Sequence, residues 1–217
     1  MSVYTADDLQ FKVNNKNAWT VMCRAAPSKK ENIIIPEIVA NRYTTTIAHE
    51  SFINDTFLKM VKIPKSITKI GHKAFMGCER LDAVIIPNTF EELTIRYQAF
   101  QDCKTMPGIE IMRPTIIENM AFAGCTNMKI VRGMIDKVEE GAFDGCKSLE
   151  QVHFHTAVSL EDGIFDGCNN LKEITFADHV YCTDDFIKHV LSKVKVKCKK
   201  HSNLVQLAYE GYCIEVF

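Results

Sequence analysis

The sequence has no excess of charge of one sign and no long apolar run. Its 217 residues include 26 basic and 27 acidic side chains, so the formal net charge is −1. Proteins that bind nucleic acid or an anionic membrane surface normally carry a clear excess of Lys and Arg. No apolar stretch approaches the roughly 18 residues that span a bilayer. The composition therefore disfavours nucleic acid as a partner and membrane insertion.

The first eight residues lack the basic start and the following apolar run of a secretory signal. Cysteine is also too sparse for a disulfide framework. Nine cysteines in 217 residues fall below the roughly 8 to 10% of small secreted scaffolds. The number is also odd, so the cysteines cannot all pair with one another. We expect mainly reduced cysteines that pack as small apolar side chains. These features predict a cytoplasmic location, with the cell surface or a virion as the alternative.

Catalytic motifs are missing as well. The sequence contains no G-x-S-x-G, no phosphate-binding loop and no Ser or Cys flanked by suitable bases. Residues 198–201 offer one closely spaced Cys and His pair, whereas a structural zinc site usually shows two such pairs. We therefore predict a protein that is not an enzyme and has no cofactor and no metal site.

What the sequence does contain is an internal repeat. Copies of the form Ala-Phe-x-Gly-Cys, or close variants of it, recur along the chain after a degenerate first copy at Ser51–Asp55. Their phenylalanines are separated by 23, 25, 22, 21 and 22 residues by subtraction, within the roughly 20 to 29 residues of one class of solenoid repeat. These phenylalanines are Phe52, Phe75, Phe100, Phe122, Phe143 and Phe165.

Apolar residues recur at constant distances from each Phe. An aliphatic residue stands five before it, another apolar residue stands six after it, and a β-branched residue always stands nine after it. The stretch that contains the β-branched residue alternates with a period of two, which predicts a short strand. Stacked coils would place like residues on like, so each position becomes a column that runs through the molecule.

One copy, Ile63–Pro87, carries nearly every repeated position in a specific order. It resembles the BspA-like, type 5 leucine-rich repeats, whose pattern is I-P-x-S-[IV]-T-x-I-G-x-x-A-F-x-G-C-x-x-L-x-x-[IV]-x-[IL]-P, and the resemblance covers about residues 33 to 177. It implies an α/β-type solenoid: a right-handed coil with a curved parallel sheet, mostly β with short turns and few helices. It also implies binding without a cofactor or catalytic residues. Members of the family are typically surface or secreted recognition modules, some of them in adhesion, and their cysteine columns pack against or hydrogen-bond to turn backbone.

We expect three regions. Residues 1–32, with the only Trp at position 19, form an N-terminal cap, although a Trp that binds a partner is the alternative. Residues 33–177 hold six irregular repeats and a first turn. Residues 178–217 form a C-terminal cap or a docking element, with a short helix over 184–191, an edge strand over 194–198 and a second helix over 201–209.

The outward positions of the predicted strands are the candidate binding residues, since packing does not constrain them. They mix Met, Ile, Arg, His and Glu, a composition that is typical of protein-recognition surfaces. His153 and His155 would share one face but lack a third ligand nearby, so we interpret them as a solvated pair. We predict a non-catalytic module that binds a protein partner through this face, with cell-surface or virion adhesion as the alternative. The predicted partner-binding residues are Met60, Lys62, Ile85, Glu110, Ile130, Arg132, His153 and His155.

Overall fold

The computed structural model describes residues 3–6, 9–13, 18–24, 29–200, 202–204 and 214–217. In these residues the regular elements are short strands joined by turns and loops, with one helical segment near the C-terminal end. The strands are β1 Val3–Ala6, β2 Leu9–Val13, β3 Trp19–Arg24, β4 Asn32–Ile34, β5 Ile38–Val39, β6 Arg42–Ile47, β7 Met60–Lys62, β8 Lys69–Ile70, β9 Ala83–Ile85, β10 Leu93–Ile95, β11 Gly108–Ile117, β12 Ile130–Val138, β13 Gln151–Phe154, β14 Val158–Leu160, β15 Glu173–Phe176, β16 Val180–Tyr181, β17 Lys195–Cys198 and β18 Ile214–Val216. The helical segment comprises α1, Asp184–Phe186, and a π-helical turn over Ile187–Leu191.

Each turn of the coil contributes a strand to a parallel ladder, which we call the first ladder. It consists of β4, β7 and β9, and then of β11, β12, β13, β15, β17 and β18. These are the strands that the alternating stretch after each Phe predicts. The predicted solenoid is confirmed, with about eight turns and very little helix.

A second ladder lies on another side of the coil, formed by the short strands that precede each Phe turn. It pairs β3, β6, β8 and β10 with the C-terminal halves of β11 and β12, and continues through β14 and β16, all in parallel. Strands β11 and β12 are long enough to belong to both ladders. The sequence predicted one sheet, because the residues of the second ladder alternate over too short a stretch to indicate a strand.

The phenylalanines of the repeats form one continuous buried column. The rings of Phe52 and Phe75 stack with centroids 5.0 Å apart and an interplanar angle of 1°. The spacing then widens gradually along the column to 5.8 Å between Phe143 and Phe165. Because each ring packs against the ring of the next coil, no single repeat buries its own Phe.

The cysteines of the repeats form a second buried column beside the rings. Each thiol donates a hydrogen bond to the carbonyl oxygen of the Phe in the preceding coil, with Sγ···O distances between 3.0 and 3.3 Å. Burial raises the pKa of the Cys103 and Cys125 thiols, so they remain protonated donors. This arrangement matches the role that the family resemblance implies. The donors are Cys78, Cys103, Cys125, Cys146 and Cys168, and all five are free thiols.

The N-terminal residues begin with an antiparallel meander of β1, β2 and β3, whose last strand joins β6 of the second ladder in parallel. Trp19 lies in β3 and is buried, with its indole N–H donating to the carbonyl of Val39 and its ring edge-to-face with Phe11. A binding role for the Trp ring is therefore wrong, because the surface offers no access to it.

The C-terminal region departs from the expected edge strand. β17 pairs in parallel with β15 on one side and with β18 on the other, so it is an interior strand of the first ladder. Its lysines form ion pairs along the ladder, Lys195 with Glu215 at 2.6 Å and Lys197 with Glu173 at 2.9 Å. The predicted helix over 184–191 is confirmed, whereas the predicted second helix lies largely outside the described residues.

Candidate binding face

The outward residues of the first ladder form two continuous columns, as the repeat spacing predicts. In one column Glu110, Arg132 and His153 are direct neighbours in the strand register. In the other, Ile130 lies between Gly108 and Gln151. The sequence therefore placed these side chains correctly on one face, because a period of two sends alternate residues of a strand to the same side.

The face is divided into two parts. Met60, Lys62 and Ile85 belong to the three-stranded sheet of β4, β7 and β9. No strand pairing within the range 29–200 connects β9 to β11, where the remaining predicted residues begin. The repeat pattern predicts a continuous ladder and gives no sign of this interruption.

A longer connection explains the break. From Val84 to Ile95 the chain takes 11 residues by subtraction, whereas from Ile109 to Ile117 in the next coil it takes only 8. The additional residues form a loop over 87–92 directly after β9. The longer loop therefore coincides with the missing pairing between β9 and β11.

A cleft of about 430 Å³ occupies the space between the two strands. Ile85 lines one wall and is 46% exposed, and Glu110 and Met112 line the opposite wall. Gly108 contributes to the same cleft, where an added Cβ would lie 2.6 Å from the carbonyl oxygen of Ile130. The close approach of β11 to β12 therefore requires glycine at position 108.

A second, shallower depression of about 370 Å³ adjoins the cleft. Glu110 and Gly108 line both cavities, and Ile130 and Arg132 line the depression only. Three of the predicted binding residues thus surround one recess with an apolar wall and both signs of charge. Gly108, Met112 and Asn88, which line the cleft, were not predicted because they become neighbours only through the break in the ladder.

The charges of the face differ in how they are paired. Glu173 and Lys197, on β15 and β17, form an ion pair. Within the described residues, neither Glu110 nor Arg132 forms a salt bridge. Their charged groups remain available to opposite charges on another molecule.

The two histidines of the predicted face have different surroundings. His153 is partly buried between Arg132 and Thr175 in the register, whereas His155 lies beyond the end of β13 and is exposed. Burial lowers the pKa of His153, and the positive charge of Arg132 lowers it further, while Glu173 opposes them. The pair is therefore not uniformly solvated, because only His155 is in open contact with water.

A buried arginine positions the loop beside the cleft. Arg113 lies in β11 and is fully buried, and its Nε donates to the carbonyl oxygen of Glu91 at 2.8 Å. Its Nη1 donates to the carbonyl oxygen of Ile67 at 3.0 Å. The sequence signal for this role is its position in β11, where residues 109, 111 and 113 share the inward face.

These features define the class of the protein: a leucine-rich-repeat solenoid with an open ladder face. The family model for the BspA type leucine rich repeat region, with six copies, matches residues 45–131 and 93–209, which together span more than half of the chain. The chain belongs to the BspA-type leucine-rich repeat family. This family is typically non-catalytic.

Solved structures show the same fold. A leucine-rich repeat protein of T. pallidum, TpLRR, is 20% identical with a TM-score of 0.72, and the match covers 99% of this chain and 98% of that one. The pneumococcal vaccine antigen PcpA is 16% identical with a TM-score of 0.54, covering 100% of this chain and 47% of PcpA. A leucine-rich repeat protein of Bacteroides ovatus is 15% identical with a TM-score of 0.53, covering 98% of this chain and 67% of that one.

No protein with a curated description matches the chain in sequence. Among the helices of the described residues, none has the length and apolar character needed to cross a membrane.

Proposed function

We propose that the chain is a non-catalytic binding module that takes a protein partner on the outward face of its first ladder. The observation that carries the proposal is the recess around Gly108, where Ile85, Glu110, Ile130 and Arg132 surround two adjoining cavities. Protein interfaces combine a recessed apolar centre with Arg and a polar rim, and this surface has the same composition.

The charge pattern favours a partner of mixed charge. Glu110 and Arg132 stand side by side in the register, and each is without a salt bridge among the described residues. A strongly acidic or basic ligand would meet one repulsive charge for each attractive one, whereas a protein surface with paired charges can match both. The near-zero net charge of −1 agrees with this preference.

The relatives support a binding role without specifying a partner. The BspA-type family is typically non-catalytic, and one structure with the same fold is a pneumococcal vaccine antigen. Open solenoid faces generally serve as extended binding surfaces. The proposal holds whether the protein resides in the cytoplasm or at the cell surface.

Substitutions to glutamate in the recess test this proposal. The double variant Ile85→Glu with Arg132→Glu places acidic groups on both sides of the Gly108 recess. The wild-type chain is used to capture partners from native extract. We expect the double variant to capture at least tenfold less of these partners, in line with the roughly 2 kcal/mol or more that an interface hot spot contributes. Quantitative mass spectrometry of the captured proteins measures the change.

A matched control changes the same residue types elsewhere. Ile53→Glu with Arg96→Glu alters an exposed Ile and an exposed Arg near the Phe turns, away from the first ladder. Circular dichroism should show both double variants folded. Equal capture by the two folded variants would exclude the first-ladder face as the binding surface.

A further inference from the structure

Two histidines and a glutamate cluster in the turns that follow β6 and β8. One ligand atom from each of His49, Glu50 and His72 lies within 4.8 Å of the other two. His49 and His72 occupy the same repeat position, three residues before Phe52 and Phe75. Their rings lie 5.9 Å apart because successive coils stack like positions on one another.

The backbone holds the two turns together. An added Cβ on Gly71 would lie 2.6 Å from the backbone nitrogen of His49, so only glycine permits this approach. The amide of Gly71 donates to the carbonyl of Ile47, and the amide of Glu50 donates to the carbonyl of His72, both at 2.9 Å. The spacing of the cluster is therefore built into the coil.

The ring of His72 is held in place by its neighbours, whereas the side chains of His49 and Glu50 are exposed and can rotate. The His72 ring is partly buried and stacks on Tyr97 with centroids 5.0 Å apart and an interplanar angle of 13°. The side chains of His49 and Glu50 are 66% and 44% exposed. Ligand atoms around a tetrahedral ion with metal–nitrogen bonds near 2.0 Å are about 3.3 Å apart. The ligand atoms now lie within 4.8 Å of one another, so binding requires the exposed side chains of His49 and Glu50 to rotate towards His72.

The donor set selects the class of ion. Two imidazole nitrogens and one carboxylate suit late first-row divalent metals, whereas Ca²⁺ and Mg²⁺ prefer shells made of oxygen. The positive charges of Lys73 and Arg96 also act on His72. The negative charge of Glu50 opposes these two charges. Binding therefore depends on coordinate bonds from the two imidazoles and the Glu50 carboxylate, and not on an attractive field from the surrounding basic residues.

We propose that His49, Glu50 and His72 form a surface site for a late first-row divalent transition metal, of which Zn²⁺ and Co²⁺ are examples. Three protein ligands leave at least one coordination position open to solvent. The prediction of no metal site rested on two pairs of ligands that are close in the sequence, one within residues 198–201 and the other formed by His153 and His155. His49 and His72 are instead separated by 23 residues, which is one repeat.

Titration of the full chain with Co²⁺ tests the site, because the visible absorption of bound Co²⁺ distinguishes nitrogen and oxygen ligands from thiolate. We expect one equivalent to bind with d–d bands and without thiolate charge-transfer absorption. His49→Gln removes an exposed ligand and leaves the core unchanged, so this variant should fold. It should raise the dissociation constant at least about tenfold, as losses at metal sites commonly do. Glu50→Gln should weaken binding in the same direction.

The control is a second histidine pair on the same protein. His153→Gln with His155→Gln removes two neighbouring imidazoles from the first ladder and should leave Co²⁺ affinity unchanged. Ca²⁺ should not compete with Co²⁺. Binding with thiolate absorption would place the ion on cysteines and overturn the proposal. An unchanged dissociation constant in folded His49→Gln, or no binding by the wild-type chain, would overturn it equally.

Discussion

Gly133 stands where each of the other five repeats carries Ile or Phe, and the contact between two strands explains the exception. Its neighbours in the register are Ile111 on β11 and Phe154 on β13. An added Cβ would lie 2.1 Å from the carbonyl oxygen of Ile111, closer than any real contact allows. Backbone atoms cannot yield as a flexible side chain can, so the pairing of β11 with β12 depends on glycine here.

Gly133→Ala should therefore destabilise the protein strongly for so small a change. We expect a loss of about 2 kcal/mol or more, because the new methyl group must push β11 away from β12 or strain the backbone. Urea denaturation followed by circular dichroism measures the loss.

Gly141→Ala is the matched control. Gly141 has a φ of +64°, but four other repeats place Glu50, Lys73, Gln98 and Met120 in the same left-handed conformation. The nearest contact of its added Cβ is an ordinary 3.4 Å to the Met120 side chain. Its substitution should cost about 1 kcal/mol, the usual penalty for a left-handed residue. A loss for Gly133→Ala no greater than that of Gly141→Ala would contradict the close-contact explanation.

At the scale of the element, β11 is interrupted where it bends from one ladder to the other. Between its pairings with Gly133 and Ile135, β11 uses three residues, 112–114, and β12 uses only one, Met134. Pro114 lies in this bulge and has no N–H to donate to a ladder. Arg113 instead donates from its side chain to the carbonyls of Ile67 and Glu91.

Arg113→Met should detach the 87–92 loop from the coil. The substitution keeps an apolar stem but removes the donor to the buried carbonyl of Ile67 and to the partly buried carbonyl of Glu91, which should cost about 2 to 4 kcal/mol. The loop should also become more accessible, so chymotrypsin should cleave faster after Phe90, which is 100% exposed at its tip. Denaturation measures the loss of stability, and mass spectrometry of the digest measures the rate of cleavage after Phe90.

Arg132→Met provides the comparison for this element. Arg132 lies on the outward face of β12 and has no salt bridge among the described residues. Its substitution should change stability by less than about 0.5 kcal/mol. If both variants lost the same stability and kept the same cleavage rate, the loop would not depend on Arg113.

At the scale of the whole molecule, the Phe column connects successive coils from Phe52 onwards. It continues beyond the six predicted rings to Phe186 in α1, which lies 21 residues after Phe165 by subtraction, with centroids 6.4 Å apart. This interval equals that of a repeat, so the spacing alone points to Phe186. The residue was not predicted because the residues around it no longer follow the motif. The helix therefore closes the ring column while β17 extends the first ladder beside it.

The cost of removing a ring should depend on its place in the column. Phe122→Ala should lose about 3 to 5 kcal/mol, because this ring is fully buried between two stacked neighbours at 5.2 and 5.5 Å. Phe165→Ala should lose less, since its ring is 7% exposed and its neighbours lie farther away. Urea denaturation of these two variants measures both losses. Phe90→Ala, at an exposed ring, serves as the control and should be as stable as wild type. Equal losses for Phe122→Ala and Phe165→Ala would contradict the dependence on place in the column.

The repeat spacing alone predicted the solenoid, the ring column and the outward columns of the first ladder. These follow from the sequence because inward and outward positions alternate locally and recur once per coil. Ile130, Arg132 and His153 were therefore assigned to one face without any knowledge of the fold. That assignment says which side a residue faces, and the binding role of these residues remains a prediction.

The tertiary structure decided what happens between coils. The break between β9 and β11, the burial of Arg113 and the proximity of His49 to His72 all depend on how far neighbouring coils are shifted or separated. Those distances arise from loop length and from backbone contacts, such as those at Gly71 and Gly108, between residues far apart in the sequence. A repeat pattern states which positions correspond, but it contains no information on local deviations from ideal stacking, such as the one that forms the recess, or on the distance that separates stacked side chains such as His49 and His72.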